Sequence, residues 1–596
     1  MEMTIEKISQ LQPDEVLTLL GTFSRYQQII YFLLCLVIFR GVFPVLGIIL
    51  IGRDPGHVCD TTFYNDSLTT NSGHEGSSQC YIHTMRKEKN VTIPCPGTWK
   101  YNTTFTSIVT EWDLVCNRAY LVDLSSTVYM IGCAFGCIFL VPFGDKFGRR
   151  CVLLISLACM IILSIGLAFS NTIILFIVLR FFIGMLNMTI TLNVYCMIAE
   201  FLPSTHRTLP VIGASLFWSL GIMVLALVGY FIKDWKILQI VTSLPNLVLL
   251  LLWWFLPESI TWLFLKGNYQ ETLNIVQSAN KWNKKKLGPD FFSDFHNQKE
   301  VNSQSSEGSD SLLTSGRANH HDPSTPCNTL EVSAANEVNM LEDNNKTPHL
   351  HQKENGLTRS NSEDVQTFQS TSYLTSSKNY QNCSQGQELL SVTLSFCSLF
   401  KTPRMLLYTL ITYYLLTVVS LSYFGILLNT PALPGNIYIN LFFSAVVEIA
   451  ANIVVMFIIN RIGRRKPICC FLLICGISNL VSLGIFYSEM QNKFVLMLIW
   501  SMIGRFGISG SYSMIYLLLA EIFPTAVRNQ AMGSASLFEN FGSILAPLVM
   551  LLDSNDIILP LSIFGVLTVV GGLLVLLLPE THLKPLPNSV GQVESW

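Results

Sequence analysis

Long apolar runs alternate along this chain with short polar ones. Runs long enough for about 20 helical residues, the length that crosses a bilayer's hydrocarbon, number twelve. They fall at 29–51, 121–143, 151–169, 172–199, 209–232, 237–256, 405–428, 437–459, 467–487, 494–520, 529–552 and 557–578. Hydrocarbon offers no partner to an unpaired backbone N–H or C=O, so each run must be a helix. Six precede a long polar stretch and six follow it. The expected fold is therefore an all-α membrane protein with two halves, 29–256 and 405–578. Between them lies a linker, 257–404, and its part from 281 to about 395 is rich in Ser, Asn, Gln and Thr, as in "NSQSSEGSDSLLTSGRANHHDPSTP". Such a segment cannot bury enough apolar surface to fold and reads as disordered.

The loops orient the helices. "DKFGRR" after the second run, "PSTHRT" after the fourth, "KWNKKK" beyond the sixth and "NRIGRRK" after the eighth are basic. "FSNT", "NTPALPGN" and "DSND", in the alternate loops, are not. The positive-inside rule places the basic loops in the cytosol, together with both termini, 1–28 and 579–596. The start, "MEMTIEKISQLQPDEVLTLLGTF", lacks a small-residue cleavage site, which makes the first run a retained span. The loop 52–118 then lies outside, where its sequons Asn65, Asn90 and Asn102 are glycosylation candidates. Its cysteines Cys59, Cys80, Cys95 and Cys116 predict two disulfides in one of three pairings. A sequon match at Asn187 falls inside a span and is read as accidental.

Composition narrows the function. The chain is 50% hydrophobic and 13% charged over 596 residues, where a soluble protein carries about a quarter charged residues. A net charge of −2 gives no reason to expect a nucleic-acid partner, and the deficit of charge makes the lipid bilayer the expected surrounding. No Walker lysine loop is present, which excludes ATP as the energy source. The sequence calls for no cofactor or metal and contains no catalytic constellation, so an enzyme is not expected.

The basic loop "DKFGRR" at 145–150 returns as "NRIGRR" at 460–465. Arg180 in "LRFFIGM" has its counterpart in Arg505 of "GRFGISG", "AEFLPSTHR" at 199–207 in "AEIFPTAVR" at 520–528, and "LPES" at 256–259 in "LPET" at 578–581. Four matches in one order at a nearly constant offset mean a duplicated six-helix unit. Parallel repeats of this kind belong to a transporter plan with its substrate site between the halves near the midplane. With "TSIVTEWDLVC" at 106–116, "GDKFGRR" at 144–150, "GNIYINLFFSAVVEI" at 435–449 and "AEIFPTAVRN" at 520–529, the chain resembles the major facilitator superfamily. Within it, the chain is similar to the organic-ion carriers of the solute carrier 22 family, especially its organic cation and carnitine members.

The resemblance implies a cytosolic charge network that gates alternating access. Its members here are Asp145, Arg149, Arg150, Arg180, Glu200 and Arg207 in the first half, and Arg461, Arg464, Arg465, Arg505, Glu521 and Arg528 in the second. Asn460 replaces the aspartate in the second copy. An ionisable residue at the midplane is a functional candidate by default. Arg180 and Arg505 are repeat-related and suit structural pairing, whereas Arg40 and Glu539 lack counterparts and suit ligand contact. The resemblance places an acid in the eleventh span of cation carriers at the position of Asn540, leaving open whether Glu539, about 100° around the helix, faces the cavity. Trp218, Tyr423 and Tyr512 are aromatic candidates for a quaternary ammonium group through cation–π attraction, and Glu448 matches a family acid in span eight. Ala450 and Leu416 depart from the family pattern. The expected function is plasma-membrane transport of small organic cations or zwitterions, driven by the membrane potential, by exchange or by a coupling ion. An organic anion exchanger using Arg40, and a non-transporting sensor, are the alternatives.

Overall fold

In the computed structural model, residues 23–59, 80–86, 89–95, 99–101, 104–202, 208–283, 398–459, 461–524, 527–551 and 558–582 are described, with a few isolated positions outside them. Twelve helices correspond to the twelve runs. In the first half they are α1 Arg25–Ile51, α2 Cys116–Phe147, α3 Arg149–Ala168, α4 Ile173–Glu200, α5 Thr208–Phe231 and α6 Trp235–Phe255. In the second they are α7 Pro403–Leu428, α8 Ile437–Ile458, α9 Arg465–Tyr487, α10 Lys493–Ile522, α11 Arg528–Leu551 and α12 Ile558–Val575. Eleven are long and apolar enough to cross a membrane; α12, which begins where the description resumes, is shorter but equally apolar. Two further helices follow α6, Ile260–Leu265 and the amphipathic Tyr269–Asn283. Residues 281–283 thus close a helix, and the rest of the segment expected to be disordered lies outside the described residues.

The halves meet along α2 against α11 and α5 against α8. Helices in hydrocarbon gain little from burying apolar surface and associate through close van der Waals packing, which favours small residues at crossings. "GCAFG" at 132–136 supplies them on α2. A Cβ at Gly132 or Gly136 would overlap the main-chain carbonyls of Phe181 and Met185 on α4. Gly166 on α3 has open space instead. Gly132→Val is therefore expected to destabilise by about 1–3 kcal/mol through overpacking and to reduce mature protein, with Gly166→Ala near wild type. Thermal melts of detergent-solubilised protein check both.

The loop before α2 carries two short antiparallel pairs, β1 His57–Cys59 with β4 Trp99–Tyr101, and β2 Tyr81–Arg86 with β3 Lys89–Pro94. Of the three pairings open to the sequence, the structure takes Cys59–Cys95 and Cys80–Cys116. Asn90 falls on β3; Asn65 and Asn102 lie outside the described residues. "TSIVTEWDLVC" anchors this loop. Ser107 caps the helix Ile108–Trp112, Ile108 and Val109 are buried, and Trp112 packs against Phe176 of α4 and Trp235 of α6 at ring distances of 5.4 and 5.7 Å.

Candidate functional site: a half-buried carboxylate between the halves and two charged loops

Glu539, on α11, settles the question of which way it faces. Its carboxylate accepts hydrogen bonds from the hydroxyls of Tyr512 and Tyr516, which lie one turn apart on α10. Asn540 turns back instead, its amide donating to the Ser536 carbonyl of its own helix at 2.8 Å. No arginine, lysine or histidine pairs with Glu539 among the described residues. From the first half, Cys137 of α2 and Tyr195 of α4 lie within electrostatic reach of it.

A relay of polar groups adjoins this carboxylate. Trp218 of α5 donates its indole N–H to the Tyr423 hydroxyl across the interface between the halves, at 2.8 Å. That hydroxyl donates in turn to Glu448 of α8, at 3.0 and 3.2 Å from its two oxygens. Arg505 of α10 forms an ion pair with Glu448, donates to the Tyr423 carbonyl at 3.1 Å, and stacks 4.1 Å from the centre of the Tyr423 ring. The Tyr423 and Tyr512 rings are 5.0 Å apart, so this relay and the Glu539 site share a wall. Glu448 already holds a cation of the protein. Glu539 does not.

The arginine related to Arg505 by the repeat has a different setting. Arg180 donates to the Pro44 carbonyl of α1 at 3.0 Å and lies 4.7 Å over the Tyr129 ring. Arg40 reaches the Asn187 amide oxygen at 3.1 Å and the Met160 sulfur at 2.9 Å. Asn187 donates to the Gly41 carbonyl, 3.3 Å away, and so holds α4 against α1. Neither guanidinium has a carboxylate among the described residues.

The two basic loops are built alike. In each, a glycine at positive φ (Gly148 at 102°, Gly463 at 106°) ends one segment and opens the next helix. The exposed N–H groups at that helix start are orphans with a partial positive charge. Glu258 of "LPES" accepts from the main-chain N–H of Arg149 and of Arg150 at the head of α3. Glu580 of "LPET" accepts from Arg464 and Arg465 at the head of α9. A side chain on Gly148 would overlap Glu258. These two glutamates hold the helix starts beside the basic loops and were missed as candidates, although both sit in motifs that marked the duplication.

Ion pairs complete each loop: Arg149 with Glu200 at 2.9 Å and with Asp145 at 2.8 Å, and Arg464 with Glu521 at 3.3 Å. Asp145 is exposed and bonded within its own loop. Arg150 donates to the Trp253 carbonyl, Arg528 to the Phe523 carbonyl at 3.3 Å, and Arg461 is exposed. Arg207 and Asn460 lie outside the described residues. All these pairs lie within one half; among the described residues none joins the halves.

The caps differ in their electrostatics. Burial raises the Glu258 carboxyl above the usual range despite its main-chain donors. At Glu580 burial also opposes ionisation, but donors from Arg464, His582, Arg465 and Thr581 outweigh it and hold the carboxyl below the usual range. A lowered carboxyl stabilises the fold above its unfolded pKa and loses that contribution as pH falls through the folded one; a raised carboxyl does the reverse as pH rises. Glu580→Gln is therefore expected to lower stability by about 1 kcal/mol at neutral pH, with the difference closing in acid. Glu258→Gln should be near neutral at pH 7. Melts across pH compare the two.

Residues 60–314 match the family model described as "Sugar (and other) transporter", and residues 404–595 match "Major Facilitator Superfamily". The chain belongs to the major facilitator superfamily. This facilitator is 29% identical to the Organic cation transporter-like protein of Drosophila melanogaster, over 98% of the chain and 92% of that relative. It is 27% identical to Organic cation/carnitine transporter 2 of Rattus norvegicus, over 97% and 93%. Among solved structures, its fold matches that of the proton:xylose symporter XylE bound to 6-bromo-6-deoxy-D-glucose, with a TM-score of 0.55 at 15% identity, covering 96% of this chain and 98% of that one.

Proposed function

We propose that this facilitator is a plasma-membrane transporter, not an enzyme, that moves small organic cations or zwitterions by alternating access. The observation that carries the reading is Glu539, a carboxylate between the halves that two phenols hold and, among the described residues, no protein cation neutralises. A cationic substrate supplies the missing charge, with Tyr512, Tyr423 and Trp218 as aromatic wall. The Drosophila and rat relatives, named for organic cations and carnitine, support the same class. The basic loops and both termini face the cytosol in this reading, and Asn65, Asn90 and Asn102 are glycosylated outside.

The test is uptake of labelled tetraethylammonium, carnitine and a carboxylate anion by expressing cells. Uptake of the cation or of carnitine is expected, and loss in Glu539→Gln at equal surface expression ties it to this site. A permanent cation driven by the membrane potential gains about 2.3 kcal/mol per 100 mV, so depolarisation should cut its accumulation while sparing carnitine. Anion uptake that survives Glu539→Gln and disappears in Arg40→Ala overturns the reading in favour of an anion exchanger. No uptake of any probe by surface-expressed protein overturns it in favour of a sensor.

A further inference from the structure

Among the described residues, the first half buries two positive charges and no negative one to meet them. Arg40 and Arg180 are 1% and 3% exposed. Both lie within electrostatic reach of Tyr129, and no carboxylate among the described residues lies within reach of either. The Arg40 Nε and Nη2 and the Arg180 Nε are buried without a hydrogen-bond partner, and the Tyr129 hydroxyl, buried beside Asn187 and Cys133, makes no well-formed bond to either. Arginine cannot escape the cost of burial by losing its proton, and an unpaired charge of this kind costs several kcal/mol. The second half solves the same problem internally, with Glu448 on Arg505. The groups left open on Arg40, Arg180 and Tyr129 are N–H and O–H groups that can donate, the set that surrounds an anion.

We propose that a small inorganic anion of the halide type binds between α1, α2 and α4, held by Arg40, Arg180 and Tyr129, with Asn187 orienting Arg40. The anion is the counter-charge that Glu448 supplies in the other half. It is independent of the substrate, and its site is separate from the Glu539 carboxylate. The site connects to Trp218, at the interface between the halves, through Asn187: the amide bonds Gly41, and a Cβ on Gly41 would touch Asn187, Thr191 and Trp218 at 3.7–3.8 Å. An anion there would bias whichever conformation keeps α1, α2 and α4 together.

Thermal melts of purified full-length protein in gluconate, with added chloride or bromide and no organic substrate, test this directly. A ligand bound to the folded state alone stabilises by mass action. Chloride and bromide are expected to raise the melting temperature by about 2 °C or more, saturably. Glu539→Gln should keep the response, which separates this inference from the transport reading. Arg40→Gln should abolish it, and Tyr129→Phe, which retains the ring under Arg180, should weaken it if the first variant does not fold. No halide response in the wild type overturns the proposal. So does stabilisation by carnitine but not by chloride, which would assign the arginines to the substrate's own carboxylate.

Discussion

Glu448→Gln is expected to remove most of the folded protein from the cell surface. The change leaves Arg505, 1% exposed, as a full charge in the core of the second half with only the Tyr423 carbonyl as a strong acceptor. Breaking one side of a buried pair typically costs about 3–5 kcal/mol, whereas replacing both partners with apolar groups of similar volume is often neutral. The double variant Glu448→Leu with Arg505→Met should therefore recover much of the stability that either single variant loses. Its transport should stay impaired, because the Tyr423 hydroxyl, still bonded by Trp218, has lost the acceptor that orients it. Size-exclusion profiles of solubilised protein, before and after heating, read the stability. A Glu448→Gln variant as stable as the wild type would show that the pair is not a structural unit.

Glu539→Gln should instead leave the fold intact and remove transport. The glutamine keeps an oxygen for one of the two phenols, and no buried cation of the protein is left unpaired by the change. What is lost is the charge that meets the substrate. Truncating one partner of a desolvated charge pair costs about 2–5 kcal/mol, so cation uptake at low concentration should fall by at least about 30-fold at unchanged surface expression. Tyr512→Phe and Tyr516→Phe each remove one hydrogen bond to a charged acceptor and should cause smaller losses, larger for Tyr512, whose ring also packs on Tyr423. Uptake by Glu539→Gln at wild-type rates would rule out this carboxylate as the cation's partner.

The carboxylate that faces Tyr512 and Tyr516 is where sequence reasoning came closest without arriving. Glu539 was legible as an unusual charge in an apolar run. Its orientation was not, because Asn540 occupies the position the family pattern favours, and one residue's difference turns a side chain by about 100°. Tyr516 escaped notice because tyrosines are ordinary in such helices and its role depends on a residue 23 positions away. Asn187 looked like a stray sequon and proves to be the amide that locks Arg40 to α4. The caps Glu258 and Glu580 were visible as repeated letters. Only the turn of the chain at Gly148 and Gly463 brings them to the helix starts they serve, 109 and 116 residues from the amides they accept.

The number of helices, the duplication, the basic loops and the count of disulfides were determined by the sequence itself. Each follows from local physics: the hydrocarbon thickness sets a run's length, backbone hydrogen bonding forces it to be helical, and repeated motifs survive as letters. Which charges meet was decided by the tertiary structure. Arg505 and Glu448 are 57 residues apart, Trp218 and Tyr423 are 205 apart, and the four cysteines allowed three pairings. Hydropathy says that a residue is in the membrane; only the packing of one helix on another says what stands opposite it. In a low-dielectric interior that neighbour decides whether a charge is a structural pair, like Glu448, or, in our proposal, a site open to a ligand, like Glu539 and Arg40.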